Sequence, residues 1–209
     1  MFKHAFIAAA AFALSAPAAV AQRASEAEAF IETNAQEVIT LLQAFGNGEA
    51  DESAVRAELR AKVEEIADTD RISEFVLGRY RRGADEGEIA EFKDVFQNYA
   101  ISVYERELGN YAGQDLTVDG SVARREDDII VRTTVTGTNG GDTYQVNWRV
   151  LDGDAGFQVV DVEVLGVWLA QNQREQITSL IGNAGGRVSA ATDVLRERMQ
   201  TGEPLGGEG

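Results

Sequence analysis

One histidine, five tyrosines and 35 carboxylates make up the acid–base equipment of this 209-residue chain, which has no cysteine. The histidine, His4, falls in the N-terminal stretch read below as a leader. The rest of the chain therefore cannot build a Ser-His-Asp triad, a cysteine nucleophile or a Cys/His zinc site. Structural disulfides are excluded with them. Carboxylate chemistry remains. An aspartate base and a tyrosine hydrogen-bond donor in an apolar pocket can run an isomerisation, and Asp161 with Tyr99 or Tyr144 would fit those roles. Whether they meet is open at this stage. A buried carboxylate of raised pKa at a pocket floor would favour that reading.

Two arginine positions could bind an anion. The Arg174 guanidinium could pair with a phosphate or a partner carboxylate, or equally with Asp161 or Glu175. Arg79, in the run Arg79-Tyr80-Arg81-Arg82, offers a second anion contact. Basic residues at that place would also simply complement a helix dipole.

The elements that must position these groups start after a leader. Lys3, the apolar run Ala5 to Leu14 and the small-x-small Ala19-Val20-Ala21 predict a signal peptide cut after Ala21. The apolar run is shorter than the ~20 residues that span a bilayer. Losing Lys3 with the leader takes the 19 basic residues to 18 against 35 acidic ones, and the formal charge from −16 to −17. Such a charge disfavours nucleic acid and nonspecific docking on anionic lipid.

Residues 22–201 predict a single domain with a flexible tail over 202–209. Ala29, Phe30, Val38, Leu41, Leu42 and Phe45 recur at helical spacing up to Gly46-Asn47-Gly48. Asp51 or Ser53 can start a second helix carrying Val55, Leu59, Val63 and Ile66. Asp70 is the expected N-cap of a third, with Ile72, Phe75, Val76 and Tyr80 on one face. A fourth runs from about Glu86 to Tyr111 with Ile89, Phe92, Phe96, Tyr99 and Val103 along a stripe. Helices thus fill 25–112. Over 115–169 the period changes to 2, with turns at Gly140-Gly141 and Asp152-Gly153-Asp154, predicting a four-stranded antiparallel meander. Helical spacing returns over 171–200. The pattern leaves two finishes: helices packed directly on the sheet, which is the more ordinary one, or helices standing off it around an apolar cavity.

The segment from Phe157 through Asp161-Val162-Glu163-Val164-Leu165-Gly166-Val167-Trp168-Leu169 to Asn172-Gln173-Arg174 and Ile177 resembles the signature of the MlaC family, also called the toluene-tolerance auxiliary family. Trp168 stands where the family has a small polar residue, Gln173 where it has Tyr, and Ile177 where it has Phe. Leu77-Gly78-Arg79-Tyr80, Phe92 to Phe96, Tyr104 and Leu108 to Tyr111 extend the likeness upstream. It covers nearly the whole chain after the leader.

The resemblance implies an α+β fold: a curved antiparallel sheet covered by N- and C-terminal helices, related to the nuclear-transport-factor-like cone, around an apolar pocket. It implies a periplasmic carrier with no enzymatic step, shuttling glycerophospholipid between an outer-membrane lipoprotein complex and an inner-membrane ABC transporter with its lipid-binding ring. Phospholipid would be cargo, with no cofactor and no metal. Hopanoid-associated relatives leave a polycyclic lipid open, and a holdase with a filled core is a further alternative. On this reading Val131, Val135, Val146, Trp148, Val160, Val162 and Val164 line the pocket from the sheet. Tyr80, Phe96, Tyr99 and Val103 face them from the helices. Trp168 narrows the pocket or packs under the last helix. Arg79 and Arg174 become the headgroup or partner contacts.

Overall fold

The computed structural model describes residues 16–106, 114–137, 141–203 and 205. Helices come first: α1 (Ala16–Gly46), α2 (Glu52–Ile66), α3 (Thr69–Leu77), a 3₁₀ turn (Gly78–Arg82) and α4 (Glu86–Arg106). A meander of β1 (Asp115–Arg125), β2 (Asp128–Thr136), β3 (Thr143–Gly153), β4 (Gly156–Val164) and β5 (Val167–Trp168) follows, and α5 (Leu169–Asn183) and α6 (Val188–Thr201) close the chain. This is the expected α+β arrangement, with five strands rather than four. The extra strand is two residues long: Trp168 pairs with Glu163 and Val167 with Val164 before the chain turns into α5.

The helix starts have local chemical causes. Asp51 caps α2, its carboxylate accepting the N–H of Ser53 at 2.6 Å and of Ala54 at 3.3 Å. Asp68, not the expected Asp70, caps α3 by accepting the Arg71 N–H at 2.9 Å. Asp70 lies two residues further on, inside the first turn, where Lys93 holds its carboxylate at 3.1 Å. Asp85 and Glu88 cap α4 reciprocally, each carboxylate accepting the other's backbone N–H. The first helix already runs through Ala21 and Gln22, and the remainder of the expected leader lies outside the described residues. So do Tyr111 and Gly140. Among the described residues no helix is long and apolar enough to cross a membrane.

The strands pair in sequence order, all antiparallel. Register breaks at Val118/Gly120, Ala123/Arg125 and Arg149/Val150 bend the open sheet. Its pairing stacks one apolar face: Leu116 beside Val135 and Tyr144, Thr133 beside Val146 and Val164, Val131 beside Trp148 and Val162, Ile129 beside Val150 and Val159. At the Ile129 end α1 lies on this face, and Ala27, Phe30 and Ile31 pack with Ile129, Val131, Val150 and Val159.

A second core is purely helical. Val76, Leu77, Phe92, Phe96, Tyr99, Ile177, Ile181, Val188 and Leu195 fill the space among α3, α4, α5 and α6. Leu205, from the tail expected to be flexible, joins it: the residue is buried and its N–H donates to the Tyr99 hydroxyl at 2.6 Å. A small third cluster of Leu42, Val55 and Leu59 joins α1 to α2.

Candidate functional site

Between these cores lies a cavity of about 440 Å³, within the ~300–1,000 Å³ span of ligand pockets. The far half of the sheet's apolar face makes one wall: Leu116, Val135, Tyr144, Val146, Trp148, Val162 and Val164. The inner stripe of α1 (Ile31, Ala35, Val38, Ile39 and Leu42) and that of α2 (Leu59, Val63 and Ile66) make the opposite wall. Phe96, Ala100 and Ile101 of α4, Ile72 of α3, and Leu169 and Ala170 of α5 close it. The lining is overwhelmingly apolar. A separate, open depression of about 640 Å³ runs along the outer side of α1 and α2 past Thr33, Glu37, Leu41 and Glu58.

Both finishes weighed from the pattern are therefore present in one molecule. The helical module is a filled core, and the half of the sheet that α1 does not cover is left open to the cavity. Of the residues expected to line a pocket, Phe96, Val135, Val146, Trp148, Val162 and Val164 converge here. The others lie elsewhere. Val131 is under α1, and Tyr80, Tyr99 and Val103 belong to the helical core. Val160 is buried as the extra residue of the bulge between the pairs Arg149–Asp161 and Val150–Val159. Trp168 is half-buried at the N-cap of α5. The α1 and α2 walls were not among the expected lining residues, although Ile31, Ala35, Val38 and Leu42 recur at helical spacing.

Few polar groups face the space, and most are satisfied by the protein. The Trp148 indole N–H donates to the Thr133 hydroxyl at 3.0 Å, which donates to the Val146 carbonyl at 2.8 Å. The Tyr144 hydroxyl donates to the Gln114 side chain at 3.3 Å. Gln173 lines the cavity with its amide oxygen buried and unpaired.

Asp161 is the buried carboxylate of the cavity wall. It accepts the N–H of Val162 at 2.9 Å and of Ala170 at 2.8 Å. Burial pushes its carboxyl above the ordinary range, outweighing those N–H donors and the nearby Arg149. A raised carboxyl was the feature that would favour an isomerase, but the tyrosines do not join it. Tyr99 spends its hydroxyl on Leu205 in the helical core. Tyr144 sits five positions along β3 from Arg149, the cross-strand partner of Asp161, which is about 16 Å of strand. Among the described residues no group of three His, Cys, Asp or Glu could hold a metal ion.

The two arginines are engaged locally. Arg174 donates to the Phe75 carbonyl at 3.1 Å and lies over the Phe75 ring at 4.7 Å, binding α5 to the end of α3. Its guanidinium also packs against Gly78, where φ is +56° and an added Cβ would meet Thr178 and Arg174 at 3.2–3.3 Å. Arg79 is exposed, donates to the Tyr80 hydroxyl at 2.7 Å and stacks on that ring at 4.9 Å. Neither arginine is part of the cavity wall.

Fold and site together define a class: a small α+β protein whose helices and open sheet enclose an apolar interior space. The chain belongs to the MlaC family, described as MlaC protein, whose sequence model matches residues 32–197. Among solved structures, a phospholipid-binding protein from Ralstonia solanacearum in complex with a phospholipid is similar in fold. The TM-score is 0.73 at 24% identity, over 83% of this chain and 97% of that one. None of the curated proteins matches this sequence.

Proposed function

We propose that the chain is a phospholipid carrier that buries acyl chains in this cavity and releases them unchanged. One observation carries the reading: about 440 Å³ of space walled by aliphatic and aromatic side chains, with the Trp148 indole and the Tyr144 hydroxyl already bonded within the protein. Each CH₂ withdrawn from water is worth about 0.8 kcal/mol, so a two-chain lipid leaves a membrane only into a comparably apolar site. Such a lining grips chains by their apolar surface, which suits pick-up and release. Membership of the MlaC family and the phospholipid in the similar Ralstonia structure support it.

The finer reading is a periplasmic shuttle, exported by a cleaved leader. It would exchange glycerophospholipid between an outer-membrane lipoprotein complex and an inner-membrane ABC transporter. The protein would act without cofactor or catalysis. The rival isomerase rests on the raised Asp161 carboxyl alone.

Native mass spectrometry of the purified protein, followed by extraction and lipid identification, tests the reading. A stoichiometric glycerophospholipid is the expected result, and a polycyclic lipid would reassign the cargo. A chain that arrives empty and stays empty when offered liposomes would overturn the carrier reading.

A further inference from the structure

Among the described residues, Lys62 is the one lysine or arginine in the cavity wall. Its side chain is 18% exposed, whereas its two partners, Glu37 on α1 and Glu65 on α2, are 54% and 64% exposed. The ammonium lies 2.6 Å from each carboxylate, with the Asn34 amide oxygen 3.5 Å away. Glu37 also borders the outer depression. Lys62 therefore stands where the apolar space meets solvent, at the seam between α1 and α2. Its hydrogen bonds, first to Glu37 and then to Glu65, hold the ammonium more firmly protonated than usual.

Resting on the carrier reading, we infer that this cluster is the headgroup site and that it selects zwitterionic glycerophospholipids. Acyl chains filling the aliphatic interior leave the phosphodiester at the rim, within the class of anion that an ammonium binds. Exposed ion pairs such as Lys62–Glu65 are worth only about 0–1 kcal/mol, so one carboxylate can swing into water and let a phosphate oxygen replace it. The displaced glutamate is then free to accept a hydrogen bond from the headgroup's own ammonium. Two carboxylates flanking one lysine carry a net negative charge. They tolerate a headgroup that brings a cation with its phosphate and repel one that brings only negative charge.

The test is uptake by the empty full-length protein from vesicles of equal phosphatidylethanolamine and phosphatidylglycerol, read by native mass spectrometry. Wild type should load phosphatidylethanolamine several-fold over phosphatidylglycerol. Lys62→Met, which keeps the apolar stem, should lower loading at limiting lipid about tenfold and lose the preference. Lys62→Arg should keep the loading, and its thermal melt checks the fold alongside. Glu37→Gln with Glu65→Gln should shift the preference toward phosphatidylglycerol. Inorganic phosphate alone should not bind measurably; a Lys62-dependent phosphate adduct without headgroup preference would mean simple anion capture and overturn the inference. Wild type and Lys62→Met loading the same lipids in the same amounts would overturn it while leaving the carrier reading intact. A wild type that takes up no phospholipid would overturn both.

Discussion

Asp161, near the end of β4, accepts the backbone N–H of Ala170 at 2.8 Å and so caps α5 from across the β4–β5 turn. The N-cap position itself is Trp168, whose side chain makes no capping bond. A carboxylate that the sequence could cast as a base thus ties the sheet to the helix beside the cavity.

Asp161→Ala should cost roughly 1–3 kcal/mol by leaving buried N–H groups unmet, and Asp161→Asn, which keeps an acceptor, should cost less. Because burial raises the folded-state carboxyl, the folded chain binds the proton more tightly than the unfolded one. This group's contribution should fall as pH rises from about 3.9 through the raised value. Urea denaturation across acidic pH should show that slope in wild type and lose it in Asp161→Asn.

The Arg149–Asp128 pair should behave with the opposite sign. Arg149 donates to both Asp128 oxygens, at 3.0 and 2.9 Å, and Arg124 lies 3.5 Å away. Burial alone would raise the Asp128 carboxyl, but these arginines outweigh it and hold it below its ordinary value. Its contribution is present above about pH 3.9 and lost as pH falls through the depressed folded value. Asp128→Asn should lower stability by roughly 1–3 kcal/mol at neutral pH and flatten the acid limb of a melting-temperature profile.

Neighbours on α4 should separate cavity from core. Ala100 lines the space and Tyr99 points into the helical core. Ala100→Phe should fill part of the cavity and cut lipid loading, with the melting temperature held or raised. Ile177→Ala, in the filled core, should cost roughly 2–5 kcal/mol while empty space for ligand remains. Loading and melting measured on both variants give the contrast; equal loss of loading would contradict the division.

Leu165 has φ +52° and is 78% exposed. A left-handed backbone costs a residue with a Cβ roughly 1–2 kcal/mol, and little packing offsets it. Leu165→Gly should therefore be neutral or stabilising by up to about 1 kcal/mol in chemical denaturation. A clear loss would show that the exposed leucine makes contacts the strain supports.

What the sequence determined by itself was local. A change of hydrophobic period from 3.6 to 2 and back is written in neighbouring residues, so the helix–strand–helix order was legible, as was the absence of cysteine chemistry. Resemblance supplied the expectation of a cavity that periodicity left open. Tertiary structure decided which apolar residues face it. Val131 and Val135 share one face of β2, yet α1 covers the first and leaves the second open. On α4 the most apolar stripe, through Phe92 and Tyr99, went to the helical core, and the plainer face with Ala100 went to the cavity. A buried valine obeys the same pattern whether its neighbour is a side chain or a void. Only the non-local docking of helices on the sheet distinguishes the two.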